Sequence, residues 1–108
     1  MATKLEFKNS PQDVTIREKL TYQFALASWL TGAETVASAT GKLYDDASGE
    51  EVIGAVSGLV VSGGTTVTLT VDWATSGVAK NRWYVVLIRA TIGTQFKEGL
   101  ARFSTFKL

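Results

Sequence analysis

Strict alternation of apolar and polar side chains over residues 65–73 constrains the fold of this chain most. The segment reads TTVTLTVDW, and every second residue is apolar: Val67, Leu69, Val71 and Trp73. A period of two places one set of side chains against a core and the other toward water, as in a half-buried antiparallel strand. The segment therefore predicts a sheet with one packed face.

Further segments with strand-like patterns are separated by turn signals that contain glycine. The predicted strands are residues 13–17, 20–26, 34–44, 51–56, 65–73, 82–91 and the alternating tail around 101–104, with a short apolar piece at 58–62. Helical periodicity is nowhere sustained, so less than about a tenth of the chain is expected to be helical. About seven or eight strands at this spacing predict an all-β antiparallel sandwich.

The length of 108 residues suits one domain with a single core. We expect a polar N-terminal arm at residues 1–12 and the sandwich domain at 13–108. The N-terminus lacks the apolar run of a secretory signal, and the run at residues 85–88 is far shorter than the roughly 20 residues that span a bilayer. A soluble protein made in the cytoplasm is the expectation.

The charge balance gives no support to binding of nucleic acid or membrane. Eleven Lys and Arg residues against ten Asp and Glu leave a net charge of +1, and the basic residues are scattered along the chain. Nucleic-acid binding requires a basic patch or stripe.

Catalytic chemistry has few candidate groups, because the chain contains neither histidine nor cysteine. The usual general bases and thiol nucleophiles are therefore absent, and no serine stands in a G-x-S-x-G context. The glycines form no phosphate-binding pattern. We expect a protein that is not an enzyme and needs no cofactor.

Four carboxylates cluster around one predicted hairpin turn, namely Asp45, Asp46, Glu50 and Glu51. Oxygen ligands of this kind hold Ca²⁺ in other proteins, which makes the four residues weak metal candidates. Their spacing does not match a calcium loop, and Asp45 with Gly49 suits a tight turn. A solvated acidic turn without metal is the favoured interpretation.

The three tryptophans, Trp29, Trp73 and Trp83, lie in or beside predicted strands. Trp73 shares the apolar parity of its strand and is expected in the core. Trp83 and Tyr84 are adjacent, so one of them must point away from the core. Trp83, Tyr84 and Trp29 are therefore the candidate interface residues, for a protein partner or for a sugar that stacks on them.

Residues 82–91 are apolar on both faces in their middle, with Trp83, Val85 and Leu87 on one face and Tyr84, Val86 and Ile88 on the other. A two-sheet sandwich buries only one face of each strand. The second face requires cover from the chain itself, for example its N-terminal arm, or from a partner.

A series of short motifs follows from residue 20 onward: LTYQF from residue 20, SWL from 28, TVASA from 35, a Val-rich strand, SG at 76, WYV from 83 and RAT from 89. The order of these motifs over residues 20–106 resembles small Ig-like virion proteins of tailed phages and prophages, in particular the phage fibre-tail adaptor family. The acidic hairpin at residues 45–51 is longer than in that family, and QFKEG at 95–99 replaces a simpler glycine turn.

This resemblance implies an Ig-like sandwich without catalytic residues. The expected function is a structural component of the virion, of the tail, neck or fibre adaptor type, that forms homo-oligomers and docks to other virion proteins. The alternative is a carbohydrate-binding or adhesive Ig-like module that uses exposed aromatic side chains. An Ig repeat cut from a bacterial surface protein is a further rival, against which the Met1 start argues weakly.

Overall fold

The computed structural model describes residues 5–6, 12–14 and 16–106. The strands are β1 (Leu5–Glu6), β2 (Gln12–Asp13), β3 (Lys19–Ala25), β4 (Ser38–Asp45), β5 (Val56–Ser62), β6 (Thr66–Asp72), β7 (Trp83–Ile92) and β8 (Gln95–Ser104). A short 3-10 helix spans Ala27–Trp29, and the described residues contain no α-helix. The prediction of an all-β chain is confirmed.

Six strands of seven to ten residues form two antiparallel sheets of three strands each. The first sheet has the order β8-β7-β4, and the second has the order β3-β6-β5. The two-residue strands β1 and β2 add to the free side of β8 in parallel register. The arrangement is compatible with a β-sandwich, but six strands form its two sheets, whereas seven or eight were predicted.

Two of the predicted strands do not form, and one of them is the strand predicted at residues 51–56. After the acidic turn the chain makes only an isolated bridge between Tyr44 and Glu51, and Val52 donates its N–H to the Leu43 carbonyl oxygen. Gly54 then adopts a φ of 85° and the chain crosses to the second sheet, where β5 begins at Val56. A segment that passes between two sheets cannot continue a ladder in either of them.

Two short strands of the N-terminal region, β1 and β2, pair with β8 of the first sheet. Leu5 and Glu6 lie beside Gly99 and Leu100, and β2 lies beside Phe103 and Ser104. The predicted strand at residues 13–17 differs, because β2 ends at Asp13 and residues 16–17 form a turn. Most of the predicted arm at residues 1–12 lies outside the described residues, so its separate character stays a prediction.

The inner faces of β6 and β7 form the centre of the core, and the alternation of β6 predicts which of its side chains are inward. Val67, Leu69 and Val71 on β6 are fully buried, and so are Val86 and Ile88 on β7. Side chains of one parity face the opposite sheet, and burial of this apolar surface drives the sheets together.

An aromatic cluster closes one end of the core around Trp73, which is fully buried as predicted. Its ring centroid lies 5.1 Å from that of Phe103 and 6.1 Å from that of Tyr84. The Trp73 indole N–H donates a hydrogen bond of 3.0 Å to the Tyr22 hydroxyl oxygen, so the polar atom of this buried ring is satisfied.

Gly41 of β4 faces the opposite sheet with little space for a side chain. A methyl group at this position would lie 2.7 Å from Leu69 Cδ2 and 3.3 Å from Ile88 Cδ1. A larger residue at position 41 would therefore require core side chains of both sheets to shift.

Candidate interaction surface

The outer face of the first sheet carries a half-buried apolar patch, which we call the outer stripe. It consists of Tyr44 on β4, Val85 and Leu87 on β7, and Leu100 on β8. Val85 lies directly between Tyr44 and Arg102, and Leu87 pairs with Leu100. The outer stripe exists because Val85 and Leu87 are apolar although they point away from the core, on the opposite face of β7 from Val86 and Ile88.

The outer stripe forms the floor of a shallow groove of about 440 Å³ beside the acidic turn. Charged side chains line it, among them Asp46 and Arg102, whose carboxylate and guanidinium lie 3.9 Å apart. On the same sheet, Glu51 lies 3.9 Å from the Lys42 ammonium. These exposed pairs contribute little to stability. An apolar floor with a rim of both charge signs is the composition of many protein interfaces.

Asp45 holds the acidic turn against the first sheet. One carboxylate oxygen accepts hydrogen bonds from the backbone N–H groups of Ala47 and Ser48, and the other accepts one of 2.8 Å from Arg82. Burial of the carboxyl raises its pKa, but these hydrogen bonds and the charge of Arg82 outweigh burial and hold the pKa below its usual value. The turn is therefore ordered by its own side chain, with Gly49 at a φ of 74°.

The acidic turn is a poor metal site in this geometry. Asp45 is engaged by Arg82, and among the described residues no three acidic side chains converge in a way that could hold a metal ion. The remaining candidates, Asp46, Glu50 and Glu51, surround the turn without a common centre.

Tyr84 does not belong to the accessible surface, contrary to its prediction as an interface residue. Its side chain is fully buried, because it shares the inward parity of Val86 and Ile88. The Tyr84 hydroxyl oxygen accepts a hydrogen bond of 2.8 Å from the backbone N–H of Ala79 in the preceding loop. The side chain thus anchors that loop to the start of β7.

Trp83 is the outward member of the adjacent pair, with 41% of its surface exposed. Its ring centroid lies 6.4 Å from that of Phe106, and the two rings are inclined by 56°. Both rings line a second shallow groove of about 360 Å³ with Asn81, Arg82 and the start of the acidic turn. Trp29 lies in the 3-10 helix, and its side chain is outside the described part of the structure.

Two exposed aromatic residues were not predicted as surface candidates from the sequence, namely Phe106 and Phe96. Phe106, beside Trp83, follows β8, where the alternation has ended and no parity predicts its direction. Phe96 is 52% exposed, and the Arg89 guanidinium lies 4.2 Å from its ring centroid. The pairing of Thr91 with Phe96 places Phe96 on the outer face, which only the register of β7 and β8 reveals.

The described residues contain no helix long and apolar enough to cross a bilayer. Comparison with known proteins found no matching family model, no similar curated protein and no similar solved structure.

Proposed function

We propose that this protein is a non-enzymatic structural component of a tailed phage or prophage particle, of the tail, neck or fibre adaptor type. It acts as a rigid Ig-like module that docks to other virion proteins and to copies of itself. Its location is the virion, after synthesis in the host cytoplasm. The motif order described for residues 20–106 supports the phage assignment, and the surface geometry supports a docking role.

The Ig-like part of the proposal is supported by strand order. In an Ig-like sandwich, strands B, E and D form one sheet and strands C, F and G form the other. The orders β3-β6-β5 and β4-β7-β8 match these two sets when β3 is taken as strand B. Tyr84 adds a second feature, since a tyrosine near the start of strand F that bonds to upstream backbone is a hallmark of this architecture.

The outer stripe is the observation that carries the docking function. Folding alone requires one apolar face on β7, yet Val85 and Leu87 supply a second one, which continues onto Tyr44 and Leu100. The outer face of β6, the central strand of the other sheet, carries Thr66, Thr68, Thr70 and Asp72 and is polar. A partner that covers the stripe would bury its apolar area and leave the charged rim in contact with water.

A variant of Leu87 tests this function in particles purified from the host that carries the gene. The wild-type protein is expected to copurify with particles in a density gradient and to be detected there by immunoblot. Leu87→Glu places a charge on the stripe and is expected to reduce incorporation at least tenfold, whereas Thr70→Glu on the outer face of the second sheet serves as the matched control. Absence of the wild-type protein from particles would contradict the proposal.

Carbohydrate binding is the second candidate, and the exposed Trp83 and Phe106 rings favour it specifically. Inclined aromatic rings beside Asn81 and Arg82 offer both a stacking surface and hydrogen-bonding groups. Binding on a glycan array that disappears in Trp83→Ala, with Phe96→Ala as the control, would support this function instead.

A further inference from the structure

The outer edge of β3 is the least protected sheet edge in the described part of the chain. The edge of β8 is covered by β1 and β2, and the edge of β4 near Leu43 and Asp45 accepts or donates hydrogen bonds with residues 50–52. The edge of β5 is interrupted by a bulge, with Gly58 at a φ of 64°. Coverage and bulges are the usual devices that prevent edge pairing.

None of these devices protects β3. Its seven residues, KLTYQFA, pair with β6 in unbroken register and contain no proline or glycine. No described strand pairs with its other side. Its inward side chains include no charge, and Leu20 and Tyr22 are only half-buried at this edge. A regular strand of this kind offers a row of backbone groups for a further strand.

The phase of the ladder identifies those backbone groups. Leu26 donates its N–H to Thr65, and Trp73 donates to Glu18, so the even-numbered residues of β3 direct their backbone groups toward β6. The odd-numbered residues therefore direct theirs toward the open edge. They are Lys19, Thr21, Gln23 and Ala25, whose side chains are all exposed.

We propose that β3 pairs with β3 of a second copy of this chain, antiparallel and about a two-fold axis at Tyr22. This pairing sets Thr21 opposite Gln23 and Lys19 opposite Ala25, with about eight backbone hydrogen bonds across the axis. The second sheets of the two copies then form one continuous sheet of six strands.

The sequence of β3 favours pairing with a second β3 in the register centred on Tyr22. All seven residues find a strand residue opposite, and no like charges meet, since Lys19 faces the small Ala25. A shift by two residues in either direction would place an end of β3 against the turn at residue 17 or the 3-10 helix at residue 27. On the inner side, Leu20 meets Phe24 and the two Tyr22 rings meet, which covers apolar surface left half-buried in one copy.

The inference deepens the proposed assembly function, and it rests on that function only in assuming that copies of the chain meet. An edge contact of one strand is small, so we expect a dimer in the micromolar range rather than a permanent one. The outer stripe lies on the other sheet and remains available to a different virion protein.

Sedimentation velocity over a range from about 1 to 500 µM tests the pairing with variants at one position. Gln23→Pro removes an outward N–H while leaving the hydrogen bonds to β6 intact, as proline is tolerated at such edge positions. It is expected to weaken the dimer at least tenfold. Gln23→Ala keeps the backbone donor and is expected to dimerise like the wild type. Circular dichroism checks that both variants are folded.

A charge pair tests the register and does not depend on the proline variant. Ala25→Lys places two lysines opposite each other twice in the symmetric dimer and should weaken it about threefold to tenfold. Adding Lys19→Glu should restore the affinity to near the wild-type value. A wild-type protein that stays monomeric, or a dimer unaffected by these changes, would overturn the pairing.

The outer-stripe variant separates this inference from the proposed function. Leu87→Glu is expected to leave the β3 dimer intact while it blocks incorporation into particles. If Leu87→Glu dissociates the dimer instead, the copies meet through the outer stripe and the β3 pairing is wrong, although the assembly function stands.

Discussion

The strands β6 and β7 occupy the same place in their sheets, yet their outer faces differ. Both are central strands whose inner side chains are buried. The outer face of β6 carries Thr66, Thr68, Thr70 and Asp72, whereas that of β7 begins with Trp83, Val85 and Leu87. Packing of the core requires the inner faces of both strands to be apolar, but it places no such requirement on their outer faces. This difference between the outer faces is the observation on which we base the proposed docking role of the first sheet.

The largest expected effect comes from the inner face of β6. Leu69→Ala removes a fully buried side chain at the centre of the core and should lower the free energy of unfolding by about 2–5 kcal/mol. Thr68→Ala on the outer face of the same strand should cost less than about 1 kcal/mol. Urea denaturation of both variants measures the contrast. Equal losses would contradict the assignment of the two faces.

The next effect concerns the distance between the sheets. Gly41→Val would force a side chain into the space held by Leu69 and Ile88, and overpacking of this kind costs about 1–3 kcal/mol. Gly49→Val is not a suitable control, because Gly49 has a positive φ. Thr40→Val, one residue away on the exposed outer face, is the matched comparison. Thermal unfolding should show a lower Tm for Gly41→Val alone.

A smaller, pH-dependent effect is expected at Asp45, which anchors the acidic turn beside the outer stripe. Its pKa is lowered in the folded state, so the ionised carboxylate stabilises the fold above its unfolded pKa of about 3.9. That contribution is lost as the pH falls through the folded pKa. Asp45→Asn should cost about 1 kcal/mol at pH 7, because hydrogen bonds to a charged group are replaced by weaker ones.

Unfolding curves of wild type and Asp45→Asn should converge as the pH is lowered toward about 2. Asp46→Asn, whose carboxylate lies in a long and exposed contact with Arg102, is the control and should change little at either pH. A constant difference between wild type and Asp45→Asn at all pH values would show that ionisation of Asp45 does not stabilise the turn.

The smallest expected effect is that of calcium on the acidic turn. Millimolar Ca²⁺ should leave the Tm unchanged, because a ligand stabilises a fold only when it binds the native state preferentially. Differential scanning fluorimetry with Mg²⁺ as the control measures this. A rise of several degrees with Ca²⁺ alone would make the turn a binding site and change the view of the groove beside it.

Local pattern was sufficient to predict much of this fold and part of the candidate surface. Alternation identified β3 and β6 with their inward residues, and the sequence of β7 indicated a strand with two apolar faces. The turn at Asp45 was predictable because Asp and Gly residues determine it through contacts a few residues apart. Each of these features depends on neighbours along the chain.

Tertiary structure decided the features that depend on distant residues. Residues 51–56 have a strand-like composition, but they cross between sheets, and only the pairing of β5 with β6 shows this. The choice of Tyr84 over Trp83 for the core depends on Ala79 and on the ring of Trp73. The open edge of β3 exists because β1 and β2 pair with β8 instead. Sequence by itself determined which residues alternate, whereas the pairing of strands far apart in the chain determined which surfaces remain free.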